Sequence, residues 1–219
     1  MQVTTARTVD EAITEAKARR GFYSLASRVF AREVDLPFLH ALRDGNILGA
    51  FSGRLLEGFE GRKDDEIIEE LGVEFTTCFL TSGAFLSPYE SVQASKEGQL
   101  CGLASAHVVQ FYRKTGFSVQ EGSALFADHF CIELEFMGHL CAMEASPLEK
   151  GDAEGAGHAK KLQSEFLKAH LGKWYRPFLQ KVIQAMEYPF YREIASITME
   201  FLDSEQEYLR HESEDLLHR

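Results

Sequence analysis

The sequence predicts an all-α protein, and three observations carry that expectation. Apolar residues recur at helical spacing along almost the whole chain, no segment shows a convincing run of strand alternation, and helix-capping and helix-ending signals fall where the periodic stretches begin and stop. The chain has 219 residues, 45% hydrophobic and 26% charged, an ordinary globular balance with enough length to bury a sizeable core. No internal repeat is visible. The expectation is eight or nine helices in one globular domain spanning 1–219. Two lobes, about 1–117 and 126–219, would meet at a hinge near Ser118 to Leu125, where Gly122 loosens the backbone.

Each element has its own signal. Thr8-Val9-Asp10-Glu11 has the form of a capping box, so a helix from about Asp10 to Phe30 is expected. Pro37 suits the first turn of a short helix that stops near Asp44-Gly45-Asn46. A further short helix is plausible from Ile47 to Leu56. From Asp64, residues Ile67, Ile68, Leu71, Phe75, Cys78 and Phe79 fall within an arc of about 120° on a helical projection, with Glu69, Glu70 and Thr76 outside it. That amphipathic helix runs out at Thr81-Ser82-Gly83. Ser87-Pro88-Tyr89-Glu90-Ser91 reads as a loop, because Pro88 biases Ser87 away from helical angles. Ala104 to Thr115 is helical again, closed by Gly116.

Phe126 to Ala145 is the most apolar segment. Phe130, Leu134, Met137 and Cys141 form one stripe, and Ile132, Phe136, Leu140 and Met143 cover much of the remaining circumference, so this helix should be central. Pro147 is expected to end it, and Gly151 to Gly157 to form a flexible acidic link. Helices from about Ala159 to Leu171, Trp174 to Glu187 and Phe190 to Leu209 follow, with a frayed charged tail from Arg210. The only Trp, in His170-Leu171-Gly172-Lys173-Trp174, reads as a core anchor at a helix junction.

Charge narrows the function classes. Lys plus Arg number 23 against 34 Asp plus Glu, a formal charge of −11. An acid excess with no basic stretch argues against nucleic acid and favours partners that bring positive charge. No apolar run reaches the roughly 18 to 20 residues of a membrane span, and Met1 to Asp10 lacks the apolar core of a secretory signal, so a cytoplasmic location is expected. Cys78, Cys101, Cys131 and Cys141 stand singly, which favours buried, reduced thiols over a zinc or redox centre. There is no P-loop and no nucleophile-elbow motif, and no cofactor is expected.

Two polar strips cross the central helix. Asp128, Glu135 and His139 project within about 40° of one another, and His129 and Glu133 lie on a second strip with Glu144. Buried ionisable groups need partners, water or a ligand. Asp128 could cap the first turn of the helix. A metal reading is also open, since His129 and Glu133, like Glu135 and His139, stand four apart; on it the chain would be a helical metal-binding or redox enzyme. Against that reading, neither Glu-x-x-His pairs on two helices nor His-Glu-x-x-His occur.

Two segments together resemble the TorD/DmsD/NarJ family, the cytoplasmic maturation chaperones of molybdopterin oxidoreductases. They are Pro88-Tyr89-Glu90-Ser91-Val92 and Asp128-His129-Phe130-Cys131-Ile132-Glu133-Leu134-Glu135-Phe136-Met137. Supporting matches are Gly21-Phe22-Tyr23-Ser24-Leu25-Ala26, Glu74-Phe75-Thr76-Thr77-Cys78-Phe79-Leu80, and Phe166-Leu167-Lys168-Ala169-His170-Leu171 with Trp174. The likeness therefore runs from about residue 20 to 180. It departs at Cys78-Phe79 and Thr81-Ser82-Gly83-Ala84, where the family often has Leu-Phe and then Gly-Pro.

The resemblance implies a TorD-like helical fold, no catalysis, and binding of the twin-arginine signal peptide or N-terminal region of a catalytic subunit before cofactor insertion and export. It carries Asp128 and His129, with Tyr89, Glu90 and Ser91, as binding-site candidates. A twin-arginine leader has two guanidinium groups ahead of an apolar stretch, so its receptor needs carboxylates beside an apolar groove. Glu90, Asp128, Glu133 or Glu135 is expected to meet the arginines, and Phe79, Phe136 and Met137 to line the groove. The chain would be a monomer or a domain-swapped dimer, since the hinge would permit exchange.

Overall fold

The computed structural model describes residues 8–45, 52–81, 86–94, 103–119 and 124–217. Among them it forms ten α-helices: α1 (Val9–Ala31), α2 (Leu36–Arg43), α3 (Ser52–Leu55), α4 (Asp64–Phe75), α5 (Glu90–Gln93), α6 (Leu103–Thr115), α7 (Phe130–Glu149), α8 (Ala153–Ala169), α9 (Tyr175–Ala185) and α10 (Pro189–Leu217). A π-helical turn, Thr76–Leu80, prolongs α4, and a short 3-10 turn, Leu171–Lys173, joins α8 to α9. No strand occurs among the described residues, so the all-α class holds; the tenth helix is the four-residue α5. Residues 47–51 of the expected Ile47–Leu56 helix and residues 120–123 of the hinge lie outside the described residues, as does Cys101.

Local chemistry explains the ends. At the start of α1 the Thr8 hydroxyl accepts from Glu11 N, and the Glu11 carboxylate accepts from Thr8 N at 2.8 Å, the reciprocal pairing the sequence motif implies. Asp35 caps α2 through Phe38 N, with Pro37 in the first turn, where its missing N–H costs nothing. Gly116 closes α6 at φ +71°, a left-handed angle that a β-carbon would oppose.

Helix α7 is the axis of the molecule. Helix α1 lies along it, α8 packs on it from another side, and α10 packs against α8 and α9. Phe130, Ile132, Leu134, Phe136, Met137, Leu140 and Cys141 are all buried. Each large apolar side chain of that kind contributes about 1.5–3 kcal/mol by leaving water, which is why a helix so apolar around its circumference takes the centre. At its start, Phe130 meets Phe30, Trp174 and Phe178 with ring centroids 5.0, 5.4 and 5.0 Å away, and Trp174 is fully buried as the expected anchor.

Four boundaries differ from expectation, each for a definable reason. Helix α7 begins at Phe130 instead of Phe126, because Asp128 and Phe130 spend their backbone groups on Glu90 N and Pro88 O. Pro147 does not end α7 but lies in its last turn, which closes by the hydrogen bonds Lys150 N to Pro147 O and Gly151 N to Leu148 O. The acidic Gly151 to Gly157 stretch is not a link, since Asp152 accepts from Gly155 N at 2.9 Å and starts α8 at Ala153. Helix α10 continues past Leu209 to Leu217, tied along its length by Glu205 to Arg19 and by Glu212 to Lys160 at 2.6 Å.

One close approach yields a stability prediction. A β-carbon on Gly172 would collide with the Leu167 carbonyl oxygen and come within 2.6 Å of Gln206 Nε2. The α8–α9 joint therefore tolerates no side chain. Gly172→Ala is expected to cost about 1–3 kcal/mol in denaturant unfolding, and a midpoint equal to wild type would show that the joint relaxes freely.

Candidate partner-binding site

The two sequence segments singled out above meet. Glu90 N donates to Asp128 O at 3.0 Å and Phe130 N to Pro88 O at 2.8 Å, which makes an isolated antiparallel bridge between Tyr89 and His129. The 87–91 stretch is thus not all loop: Tyr89 holds the N-cap position of α5, and Glu90 and Ser91 lie in its first turn. Asp128, in the turn before α7, does not cap its own helix. Its Oδ2 accepts from Ser91 N at 2.9 Å and ties α5 down. The cap of α7 is His129, whose Nδ1 accepts from Cys131 N at 3.2 Å.

Burial controls the electrostatics. Glu90, Ser91, Asp128, His129, Glu133 and His170 are all buried, Asp128 and Glu133 completely. Loss of water depresses His129 to about 4 against the opposing charge of Asp128, so its imidazole is neutral, as its acceptor role at Nδ1 requires. Desolvation, followed by the neighbouring charge of Glu90, raises Glu133 well above the ordinary carboxylate range, and Trp174 Nε1 donating to Glu133 Oε2 at 3.2 Å only partly offsets this. Glu90 Oε2 lies 2.8 Å from His170 Nδ1. No described Lys or Arg pairs with Glu90, Asp128 or Glu133. Four buried atoms, Ser91 Oγ, Asp128 Oδ1, Glu133 Oε1 and His170 Nε2, have no partner.

Tyr89 is half-buried over this set, its ring 4.8 Å from that of His129 and 5.9 Å from that of Phe126, which is 45% exposed. Glu135 is exposed, and His139 is half-buried with Nε2 near Thr115 O at 3.3 Å, so the Asp128, Glu135 and His139 strip does not act as one group. Phe136 and Met137 are fully buried and Phe79 nearly so; these three belong to the core. Glu144, on the other strip, pairs with Arg19 instead of joining His129 and Glu133. Two open grooves, one of 620 Å³ beside Leu167, Gly172 and Gln206 and one of 570 Å³ between α4 and residues 185–188, are lined by none of the candidate residues.

His170 is the member of this set that sequence reasoning missed. Its signal was its position four residues before Trp174, on the buried side of the α8–α9 junction. The thiols of Cys131 and Cys141 are pushed up to about 12 by burial, so neither supplies a thiolate at neutral pH. Among the described residues no three His, Cys, Asp or Glu side chains stand together as metal ligands. Nor is any described helix long and apolar enough to cross a membrane.

The family model described as nitrate reductase delta subunit matches residues 47–180, a span that contains both the Tyr89 turn and the start of α7. Chaperone protein TorD of Shewanella pealeana is 27% identical over 217 residues, covering 90% of this chain and 91% of the relative. Chaperone protein TorD of Shewanella piezotolerans is 28% identical over 218 residues, covering 90% and 94%. Chaperone protein TorD of Vibrio cholerae strain M66-2 is 27% identical over 171 residues, covering 77% and 76%. The chain belongs to the nitrate reductase delta subunit family, the TorD/DmsD/NarJ family of molybdoenzyme maturation chaperones, and is a chaperone, not an enzyme.

Proposed function

We propose that this chaperone binds the twin-arginine signal peptide, or the N-terminal region, of the catalytic subunit of a molybdopterin oxidoreductase. It holds that segment in the cytoplasm for cofactor insertion before export. The observation that supports the reading is the set of buried carboxylates at the Tyr89 turn, which no Lys or Arg among the described residues pairs with and of which only Glu90 meets an imidazole, that of His170. Burial and the Glu90 charge favour a proton on Glu133, which Glu90 accepts; Asp128 Oδ1 has no donor, and Glu133 Oε1 would lack one once that proton is lost. A guanidinium carries five fixed N–H donors and a permanent charge, so it can take the place of that proton and satisfy both oxygens. Because the set is closed, the leader must displace its cover, for which the Tyr89 and Phe126 rings are the outermost members.

Calorimetric titration of the full chain with a leader peptide, and with the same peptide carrying lysines for its two arginines, tests this. Asp128→Asn and Glu90→Gln are expected to weaken the arginine peptide about 30-fold or more, the effect of removing one partner of a desolvated charge pair. The lysine peptide should bind less tightly to wild type. Equal affinities across variants whose circular dichroism is unchanged would rule these carboxylates out.

A further inference from the structure

The physical requirement stated for a leader receptor, carboxylates beside exposed apolar surface, is met in the open at a place the sequence did not single out. The 570 Å³ groove between α4 and residues 185–188 is lined by Glu66, Glu69, Glu70, Glu74 and Glu187 together with Val73. Val73 is 61% exposed, and Leu80, two turns further along the same helical rod, is 59% exposed. These are two of the five large apolar side chains that the described surface leaves out in water. A second, shallower groove runs along the other flank of Val73, past Glu33, Glu69 and Gly72. The rod between Val73 and Leu80 carries the π-helical turn Thr76–Leu80, a distortion that is costly unless packing or function repays it.

Glu74 distinguishes this groove from an ordinary acidic helix face. It lines the groove yet is only 8% exposed. Its Oε1 accepts from Glu187 N, and from Tyr188 N at 3.0 Å, while its Oε2 is buried with no partner. The cations nearby leave that oxygen unpaired: Arg62 is bound to Glu70 at 2.6 Å, Lys63 reaches Glu66 at 3.7 Å, and Arg192 acts on Glu74 only through space. An unanswered, mostly desolvated acceptor at the wall of an acidic groove calls for a donor from outside.

We propose that this groove is a docking surface for an arginine-bearing, apolar-flanked segment of the client polypeptide, with Glu74 and Glu69 facing the guanidinium groups and Val73 and Leu80 the apolar run. That the segment is the client's leader rests on the function proposed above; the groove itself rests on its charge, its exposed apolar pair and the unpartnered Glu74. It differs from the Asp128 set in that the groove and the Glu69 carboxylate are open to solvent, with only Glu74 Oε2 at its wall left to uncover, so it is the surface a leader meets first. The net charge of −11 favours that encounter and makes it salt-sensitive.

The test is fluorescence anisotropy of the full chain with a labelled peptide that has two arginines ahead of a leucine and alanine run. Glu66→Gln/Glu69→Gln/Glu74→Gln is expected to bind it about tenfold more weakly, the summed effect of two exposed charges and one buried one, and with a flatter salt dependence. Because Glu74 also receives two backbone N–H groups, Glu69→Lys, on an exposed residue, and Val73→Ser serve as variants that leave the fold intact; each should weaken binding at least severalfold. Affinities within twofold of wild type in all three overturn the groove, and if Asp128→Asn alone abolishes binding, the leader reading survives without it. A wild-type chain that ignores the peptide overturns both. A change in self-association on Glu69→Lys, with peptide affinity unaltered, would make the groove a contact between copies and overturn the proposal.

Discussion

Replacing Arg19 by alanine is expected to remove about 3–5 kcal/mol of unfolding free energy, the usual consequence of leaving buried charges without their partner. Arg19 is 5% exposed in α1 and joins three other helices. Its Nε and Nη2 donate to Glu205 of α10 at 2.7 and 2.6 Å, its Nη1 donates to Glu144 of α7 at 2.9 Å, and Nη2 also reaches Gln163 of α8. Burial opposes the guanidinium charge, but the hydrogen bonds and charge of Glu205 outweigh it, so Arg19 stays ionised throughout the accessible pH range. Without it, Lys160, 3.7 Å from Glu144, is the one remaining cation at the cluster among the described residues, and Glu205 faces only Tyr23 OH at 3.0 Å.

A domain of this kind has about 5–15 kcal/mol in total, so the loss is a large share of it. Urea unfolding of Arg19→Ala, Glu205→Gln and the double variant measures the coupling. The double variant should be more stable than Arg19→Ala, because it removes an orphaned charge. Arg19→Lys should recover only part of the loss, since an ammonium cannot bridge both carboxylates with a fixed fork. A loss below about 1 kcal/mol for Arg19→Ala would mean that water reaches the cluster.

Arg19 also shows what was and was not legible. The helices were readable because apolar spacing and capping chemistry are local: Thr8 with Glu11, Pro37 in the first turn of α2, and the all-round apolar α7 each appear in a short window. The buried polar groups off the central helix were not, because a charged residue in a helical pattern defaults to the solvent face. Yet Ala16, Arg19, Tyr23, Ala26 and Phe30 recur at helical spacing and are all buried, so Arg19 stands on the apolar stripe of α1. Glu74 stands likewise beside buried Leu71 and Phe75 on α4. A charge on the greasy side of a helix is the signal that would have found both.

The Tyr89 and Asp128 segments were brought together by resemblance, and the bridge that joins them also moved the start of α7 by four residues, something no periodicity could announce. Their carboxylates were expected at the edge of a groove. They are interior instead, because α5 and the α7 cap fold over them, while the open acidic surface lies on α4.

Glu133→Gln is expected to raise stability above about pH 6.5 and to flatten its pH dependence there. The sign follows from proton counting. Glu133 has its folded-state pKa raised well above the ordinary value by burial and by Glu90. Folding at neutral pH therefore takes up a proton that the unfolded chain has released. That contribution is complete below the unfolded pKa and is lost progressively as pH rises toward the folded one. His129 runs the opposite way: depressed to about 4 from 6.5, it resists protonation when folded, and its contribution of about 3 kcal/mol is lost as pH falls from 6.5 toward 4.

Between the ordinary carboxylate range and pH 6.5 the two slopes oppose each other, and above that window Glu133 acts alone. Glutamine keeps an oxygen for Trp174 Nε1 and an N–H for the neighbouring Glu90 carboxylate, and it needs no proton to stay neutral. The gap between variant and wild type should therefore widen from pH 6.5 to 8.5 in thermal unfolding. Parallel curves over that range would show Glu133 ionised in the folded chain, with some donor already holding it. If the carboxylate is kept for an incoming guanidinium, the same variant should bind the arginine leader more weakly while unfolding at higher temperature. That pairing separates a binding residue from a purely structural one, since a residue whose only work is packing would lose nothing in affinity.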